Sequence, residues 1–270
     1  MNKFKQENIF SLKNKNILIL GGMGLIGLNF ADSLSAFGAK VFILDIKKSL
    51  NFKKSNNISY IKCDVTSESS LNKAFSEILK KKIKIHTLIY NVYSKPKDYY
   101  KKFENYKYKT WNEVVKANLS GAFLSSQIAI KYFKKENIAG NLIFVLSTYG
   151  IVGPDLEIYK NLKAKNNIYN SDDPLTTPAV YSSTKSGLLG LARYIATTHG
   201  KYKIRANTLT PGGIYDGQEK EFVNRYIKKV PLGRMAEVSD YNGAIVFLCS
   251  EASKYMTGAN LIIDGGWTAW

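Results

Sequence analysis

The chain has 270 residues, of which 45% are hydrophobic, and its formal net charge is +18. This length suffices for one large α/β domain or two small ones, and no Pro- or Ser-rich linker divides the sequence. The two cysteines, Cys63 and Cys249, lie in apolar surroundings, and the only histidines are His86 and His199. The sequence therefore argues against disulfide bonds and zinc sites, and we predict no bound metal.

The strongly basic charge allows three classes of partner: nucleic acid, a membrane surface and anionic small molecules. The lysines are spread along the whole chain, however, and no helix-turn-helix, zinc-finger or RNP signature accompanies them. The sequence contains neither a signal peptide nor an apolar stretch long enough to span a bilayer. We therefore expect a cytoplasmic protein that binds a small molecule, and no nucleic-acid or membrane partner.

Apolar, β-rich segments alternate with helical patterns along most of the chain. The predicted strands are residues 16–20, 41–45, 59–63, 85–90, 141–146, 203–209 and 260–264. Such alternation predicts an α/β fold with one Rossmann-type, doubly wound parallel sheet of about seven strands and helices on both faces. Residues 1–15 are polar and are expected to form an N-terminal arm, and residues 16–270 a single domain.

The first predicted strand runs directly into a glycine-rich turn, and a helical pattern that ends at Gly38 follows. Glycines in this context let the backbone turn sharply and approach a pyrophosphate, at which the helix N-terminus then points. A structural turn without a ligand is the alternative. Because strand, turn and helix occur in the required order, we predict a dinucleotide site that includes Gly21, Gly22, Gly24, Leu25, Ile26 and Gly27.

The second predicted strand ends at Asp45, where an acidic side chain would accept hydrogen bonds from the adenosine ribose hydroxyls. A carboxylate at this position would also repel the 2′-phosphate of NADP. Lys47 and Lys48 follow closely and could weaken that preference. We therefore expect NAD as the cofactor, with NADP less favoured.

Two further segments predict helices. The run Thr110-Trp111-Asn112-Glu113 has the pattern of a capping box, and the helix that it starts should continue through Asn118 to about Lys135. Farther along, the spacing of Tyr181 and Lys185 places both side chains on one helix face. A neighbouring cation favours the phenolate and should lower the pKa of Tyr181 from its ordinary ~10 towards neutrality. A chance pair on a solvated helix face is the alternative.

Further motifs occur in order along the chain. They are Asp64-Val65 after the third strand, residues 116–121, Ser147 after the fifth strand with Gly150 beyond it, and residues 204–213, 231–234 and 257–266. Together with the glycine turn and the Tyr181–Lys185 pair, these motifs resemble the short-chain dehydrogenase/reductase family over roughly residues 15–270. The resemblance implies transfer of hydride between a nicotinamide and a secondary alcohol or ketone.

The resemblance also implies roles for individual residues. Tyr181 would exchange the proton, Ser147 would orient the reacting oxygen, Lys185 would depress the tyrosine pKa and hold the nicotinamide ribose, and Asn118 would hold a water that links Lys185 to solvent. Ser147 could instead merely end a strand, and Asn118 could satisfy the backbone of a kinked helix. The cofactor contacts implied beyond the glycine turn and Asp45 are Asp64, Val65, Asn91, Tyr181, Lys185, Pro211, Gly212 and Ile214. Self-association to a dimer or tetramer is implied through the helices around 110–135 and 180–199.

Several positions depart from the family pattern. Leu25 and Tyr93 stand where glycines are usual, and Asp216 stands where a threonine is usual. Ser147 and Tyr181 are 34 positions apart, which indicates an insertion at about 154–178. These departures leave open an alternative, a catalytically idle dinucleotide-binding regulator or scaffold.

The substrate is expected at the carboxyl edge of the sheet, beside the segments 93–109 and 154–178. Both segments are rich in Tyr, Lys and Asn, which suit a sugar ring and a phosphate, so an anionic sugar derivative is one candidate. The insertion and the ending 265–270 also resemble dehydrogenases of bacterial surface-sugar pathways, such as those that modify flagellin. Lipid alcohols, polyols and small ketones remain open. The insertion is expected to cover the substrate, with an inert surface loop as the alternative.

Overall fold

In the computed structural model of the protein, residues 8–50, 52, 55–163 and 174–270 are described. Within these residues, seven parallel strands form one sheet in the order β3-β2-β1-β4-β5-β6-β7. The strands are β1 (Asn16–Leu20), β2 (Lys40–Asp45), β3 (Ile58–Lys62), β4 (Thr87–Tyr90), β5 (Asn141–Val145), β6 (Arg205–Pro211) and β7 (Asn260–Ile263). The predicted doubly wound parallel sheet is therefore confirmed.

The helices cover both faces of this sheet. They are α1 (Leu25–Ala36), α2 (Glu68–Leu79), α3 (Tyr108–Val115), α4 (Gly121–Lys135), α5 (Ala179–His199), α6 (Lys220–Ile227) and α7 (Asn242–Cys249). Residues of α2, α4 and α5 form the core on one face, and residues of α1 and α7 form the core on the other.

The sequence of β1 shows why this strand is buried on both sides. Leu18 and Leu20 point into the core beneath α2, α4 and α5, whereas Ile17 and Ile19 point into the core beneath α1 and α7. Successive side chains of a strand face opposite sides of the sheet. A strand between two helical layers therefore carries apolar side chains on both faces, and from Ile17 to Leu20 the sequence reads as a continuous apolar run.

The predicted start of the helix at Thr110 was wrong. Thr110 lies inside α3, which begins at Tyr108 after Lys107. Its hydroxyl donates to the carbonyl oxygen of Lys97 at 3.4 Å and does not cap the helix. A contact with a distant loop thus uses the side chain that the local pattern assigned to a cap. The helical path does continue to Lys135 as predicted, through a π-helical turn, Lys116–Ser120, between α3 and α4.

The structure differs from the predicted arm where it describes that segment. Leu12 is fully buried, and its N–H donates to the carbonyl oxygen of Phe37 at 2.9 Å. The N–H of Lys40 in turn donates to the carbonyl oxygen of Lys15 at 2.9 Å. Leu12 and Lys15 thus tie this segment to the connection between α1 and β2, while residues 8–11, 13 and 14 are exposed. The remaining part of the predicted arm, residues 1–7, lies outside the described residues.

In the described part of the chain, no helix is both long and apolar enough to cross a membrane. Cys63 and Cys249 are both buried free thiols.

Candidate active site

A cavity of about 900 Å³ opens at the carboxyl ends of the strands. Of the residues predicted for the site, those that line the cavity are Gly21, Gly24, Leu25, Ile26, Asp45, Asp64, Val65, Asn91, Ser147, Tyr181, Lys185, Pro211, Gly212 and Ile214. Gly22, Gly27 and Asn118 do not line it. The topology explains this convergence, because β1, β4, β5 and β6 are neighbours and all end at the same edge.

The glycine turn brings backbone close to backbone. Gly21 has a φ of +71°, and a Cβ there would lie 2.8 Å from the Cα of Val92. A Cβ on Gly27 would lie 2.4 Å from the Cα of Gly22, so these two glycines allow α1 to pack on the turn. An added Cβ on Gly24 would meet no described atom within 4 Å, and its backbone faces open space. This turn thus has the room and the backbone geometry that a pyrophosphate requires.

The N-terminus of α1 adds a charge preference to this turn. Helix α1 begins at Leu25, and Gly24 offers no side chain to cap its first N–H groups. Free N–H groups and the positive end of the helix dipole favour an anion at this position. The residues present therefore fit the pyrophosphate of a dinucleotide.

Carboxylates lie at the ends of β2 and β3, on the adenosine side of the predicted site. The Asp45 Oδ2 atom accepts a hydrogen bond from the N–H of Met23 at 3.0 Å, which ties the carboxylate to the glycine turn. The Asp64 Oδ1 atom accepts from both the N–H and the hydroxyl of Thr66 at 2.8 Å. Both carboxylates line the cavity, where they could accept hydrogen bonds from hydroxyl or amino groups.

Ser147, Tyr181 and Lys185 form one cluster on the cavity wall. Ser147 follows β5, and its hydroxyl lies close enough to the phenol of Tyr181, which α5 carries, to lower the pKa of that phenol. The Lys185 ammonium nitrogen donates to the carbonyl oxygen of Val145 at 2.7 Å and lies 5.9 Å from the centre of the Tyr181 ring. An added Cβ on Gly150 would lie 2.9 Å from the Cβ of Lys185, so glycine here permits this close approach of α5.

Burial dominates the protonation of this cluster. It raises the pKa of Tyr181 to about 12, against a smaller lowering by the neighbouring Ser147 hydroxyl. It lowers the pKa of Lys185 to about 8. The predicted lowering of the tyrosine pKa was thus wrong in direction for this structure, because desolvation outweighs stabilisation of the phenolate. At neutral pH Tyr181 is a phenol, the form that donates a proton to a developing alkoxide.

Asn118 lies behind the cavity, on the π-helical turn, and is fully buried. Its Oδ1 atom accepts from the N–H of Ser94 at 3.0 Å, and its Nδ2 atom lies 3.4 Å from the Thr184 hydroxyl oxygen. The side chain thus links the loop after β4 to α5. Its predicted role as a water-holding group stays a prediction.

Aromatic side chains, most of which were not predicted as site residues, complete the wall of the cavity. Tyr149 and Tyr159 line it beside Ser147, and their hydroxyl oxygens are 3.2 Å apart. Phe222 and Tyr226 line it from one face of α6, where their spacing of four positions was a readable signal. Outside the cavity lining, Trp267 stacks on Tyr226 with ring centres 4.4 Å apart.

Tyr93, the bulky replacement for a usual glycine, does line the cavity as expected. Its hydroxyl donates to the hydroxyl of Tyr99 at 2.7 Å. Its ring meets that of Tyr181 edge-on, with 5.2 Å between centres. Tyr93 therefore packs beside Tyr181 and leaves the cavity open. Of the insertion, residues 164–173 lie outside the described residues.

Two protein families match this chain in succession. The family described as short chain dehydrogenase matches residues 15–161, and the family described as Enoyl-(Acyl carrier protein) reductase matches residues 167–268. Post-translational flagellin modification protein A of Campylobacter coli is 30% identical over 265 residues, which cover 95% of this chain and 99% of that protein. The chain belongs to the short-chain dehydrogenase/reductase family.

A second relative and a solved structure extend the comparison. NADH-dependent L-xylulose reductase of Ambrosiozyma monospora is 29% identical over 281 residues, covering 94% of each chain. The crystal structure of a short chain dehydrogenase from Leptospira borgpetersenii with bound NAD+ is 33% identical, with a TM-score of 0.85 over 97% of this chain and 96% of that one. This short-chain dehydrogenase/reductase is therefore an oxidoreductase of alcohols or ketones that uses a nicotinamide dinucleotide and a small-molecule substrate.

Proposed function

We propose that the enzyme transfers hydride between NAD(H) and a secondary alcohol or ketone of a sugar or sugar derivative, in the biosynthesis of a surface glycan of the flagellin type. This proposal depends above all on the cluster of Ser147, Tyr181 and Lys185, which lies in a cavity that Tyr149, Tyr159, Phe222 and Tyr226 also line. Aromatic rings pack against the apolar faces of sugar rings, while hydroxyl groups at their edges bind polar groups. The relatives named for flagellin modification and for L-xylulose reduction support this substrate class.

The cluster residues divide the proton chemistry among them. In the reduction, the phenol of Tyr181 donates its proton to the carbonyl oxygen, and the neighbouring Ser147 hydroxyl orients that oxygen. When bound, the nicotinamide supplies or accepts the hydride. Lys185, an ammonium below its pKa of about 8, offers positive charge that stabilises a phenolate as it forms.

Asp45 supports NAD over NADP as the cofactor. Its carboxylate lines the cavity at the end of β2, where it would meet the adenosine ribose. A 2′-phosphate there would be repelled, and free hydroxyls would find an acceptor. Lys47 also lines the cavity, so some use of NADP is compatible with the site.

The proposal is tested by NADH absorbance with matched pairs of polyols, ketoses and nucleotide-linked sugars. We expect turnover with NAD(H), and Tyr181→Phe should lower kcat by at least ~10²-fold while NADH affinity is retained. The matched control is Tyr194→Phe, which removes an exposed hydroxyl from the same helix. Near-normal turnover by Tyr181→Phe would remove this residue from the mechanism. NADH binding without turnover of any sugar-type substrate would instead favour the idle dinucleotide-binding alternative.

A further inference from the structure

Lys95 brings a cation to the cavity wall beyond the catalytic cluster. It follows β4 by five positions, and it lines the cavity together with Tyr93 and Tyr100. Its ammonium nitrogen lies 5.1 Å from the centre of the Tyr93 ring and 5.7 Å from that of the Tyr100 ring. Two aromatic faces thus hold the ammonium at the cavity without neutralising its charge.

Carboxylates do not neutralise this cation within the described part of the chain. Lys107, a cation near the same loop, donates to Asp98 at 2.7 Å, but no described carboxylate oxygen lies within 4.0 Å of the Lys95 nitrogen. The described cavity residues within 93–100, 147–181 and 222–235 include no Asp or Glu. The carboxylates that line the cavity lie elsewhere, at Asp45, Asp64 and Asp216. Among the described residues, this part of the wall therefore carries the positive charge of Lys95 and no carboxylate.

Tyr93 fixes the position of Lys95 relative to the proton donor. The Tyr93 ring is held by the hydrogen bond to Tyr99 and by its edge-on contact with Tyr181. The Lys95 ammonium lies 5.1 Å from the centre of the Tyr93 ring, and that centre lies 5.2 Å from the centre of the Tyr181 ring. The distance from the ammonium to the Tyr181 ring centre therefore cannot exceed the sum of these two distances. A pentose or hexose derivative can span this interval, with its reacting hydroxyl at Tyr181 and a charged terminal group at Lys95.

We infer that Lys95 binds an anionic group, a phosphate or a carboxylate, on the sugar-type substrate and so selects charged substrates over neutral ones. This inference rests on the proposed function and deepens it. The net charge of +18 acts in the same direction, because it draws anions towards the protein before Lys95 selects among them.

The test measures binding by calorimetry to the NADH-saturated protein, with ribitol 5-phosphate against ribitol and gluconate against glucitol. The protein should bind at least one anionic member about tenfold more tightly than its neutral partner, as expected for a charge-assisted hydrogen bond. The phosphate and carboxylate pairs show which anion is preferred. Lys95→Gln should abolish the preference while leaving affinity for the neutral member unchanged, and Lys95→Arg should restore most of it.

Lys97→Gln is the matched control, because Lys97 is an exposed lysine of the same loop that does not line the cavity. It should leave the preference unchanged. The inference is overturned if no anionic member binds more tightly than its neutral partner, or if Lys95→Gln keeps the preference. Failure of the proposed function looks different, since it removes turnover of every sugar-type substrate whatever the charge preference in binding.

Discussion

Lys185 carries its amine into a buried position, where the Val145 carbonyl oxygen is 2.7 Å away. Desolvation lowers the pKa of this amine from 10.5 to about 8. The ammonium of Lys185 therefore loses its proton at a lower pH in the folded protein than in the unfolded chain. A group tuned in this way is typical of functional sites, where stability is given up for chemistry.

This shift predicts a specific pH dependence of stability. Below pH 8 Lys185 is charged in both the folded and the unfolded state, and the folded state bears the full free-energy cost of burying that charge. Between about pH 8 and 10.5 the unfolded chain binds more protons than the folded one, so the stability of the wild type rises relative to Lys185→Met, by roughly 3 kcal/mol in total. Urea unfolding without cofactor at several pH values measures this difference. Lys131→Met, at an exposed position of α4, should show no such change, and a flat difference for Lys185→Met would contradict the prediction.

Asp45 gives a second prediction at the scale of single residues. Asp45→Ser removes the carboxylate that would repel a 2′-phosphate, while a serine hydroxyl can still bond the ribose. We expect the ratio of NADPH to NADH affinity to rise at least about tenfold, with Lys47 then free to attract the phosphate. Fluorescence titration of both cofactors measures this ratio. Asp32→Ser, at an exposed position of α1, is the control, and tighter binding of NADPH by the wild type would show that the lysines govern the choice.

At the scale of elements, the sequence predicted the strands well and the aromatic wall poorly. Strands β1, β4 and β5 lie between two helical layers and are almost wholly buried, so their apolar runs are a local signal that survives in the sequence. The wall depends on α6 packing against the described flank of the insertion, where Tyr159 and Phe222 have ring centres 5.5 Å apart. Such a contact joins segments distant in sequence and has no local pattern. The prediction that Thr110 starts a helix was wrong for the same reason, since its hydroxyl donates to the carbonyl oxygen of Lys97 in a separate loop.

The insertion also supplies a prediction at this scale. Its described flanks reach the cavity through Tyr159 and through residues 175–178. The N–H of Leu175 donates to the carbonyl oxygen of Leu162 at 2.7 Å, so the two flanks meet side by side. An Asn-Gly turn can therefore replace residues 163–174 without moving the cavity wall.

We expect this shortened variant to bind NADH normally, because its glycine turn is unchanged. If the insertion contributes to substrate binding, the KM for the sugar-type substrate should rise at least about tenfold or kcat should fall. Steady-state kinetics and NADH titration separate the two effects. Unchanged kinetics on that substrate would mean that residues 163–174 form an inert surface loop.

At the scale of the whole molecule, the sheet order separates the dinucleotide turn from Ser147 of the catalytic cluster by a single strand. The glycine turn follows β1, while Ser147 follows β5, and β4 lies between them. The cofactor half and the catalytic half of the cavity are thus joined by Asn91, which follows β4 and donates to the Gly21 carbonyl oxygen at 3.0 Å. Helices α4 and α5 lie on the same face of the sheet as α2, and each exposes a large side chain to solvent.

These exposed side chains predict self-association to a dimer or tetramer. Phe123 on α4 is 50% exposed and Tyr194 on α5 is 63% exposed. Pairing of two copies would bury these large side chains, which is favourable. A two-fold axis would bring the same helices of both copies together. Light scattering at micromolar concentration should report a dimer or tetramer, and the double variant Phe123→Glu/Tyr194→Glu should shift it towards monomer. Lys131→Glu, which reverses a charge elsewhere on α4, should leave the assembly intact, and a wild type found only as a monomer would contradict the prediction.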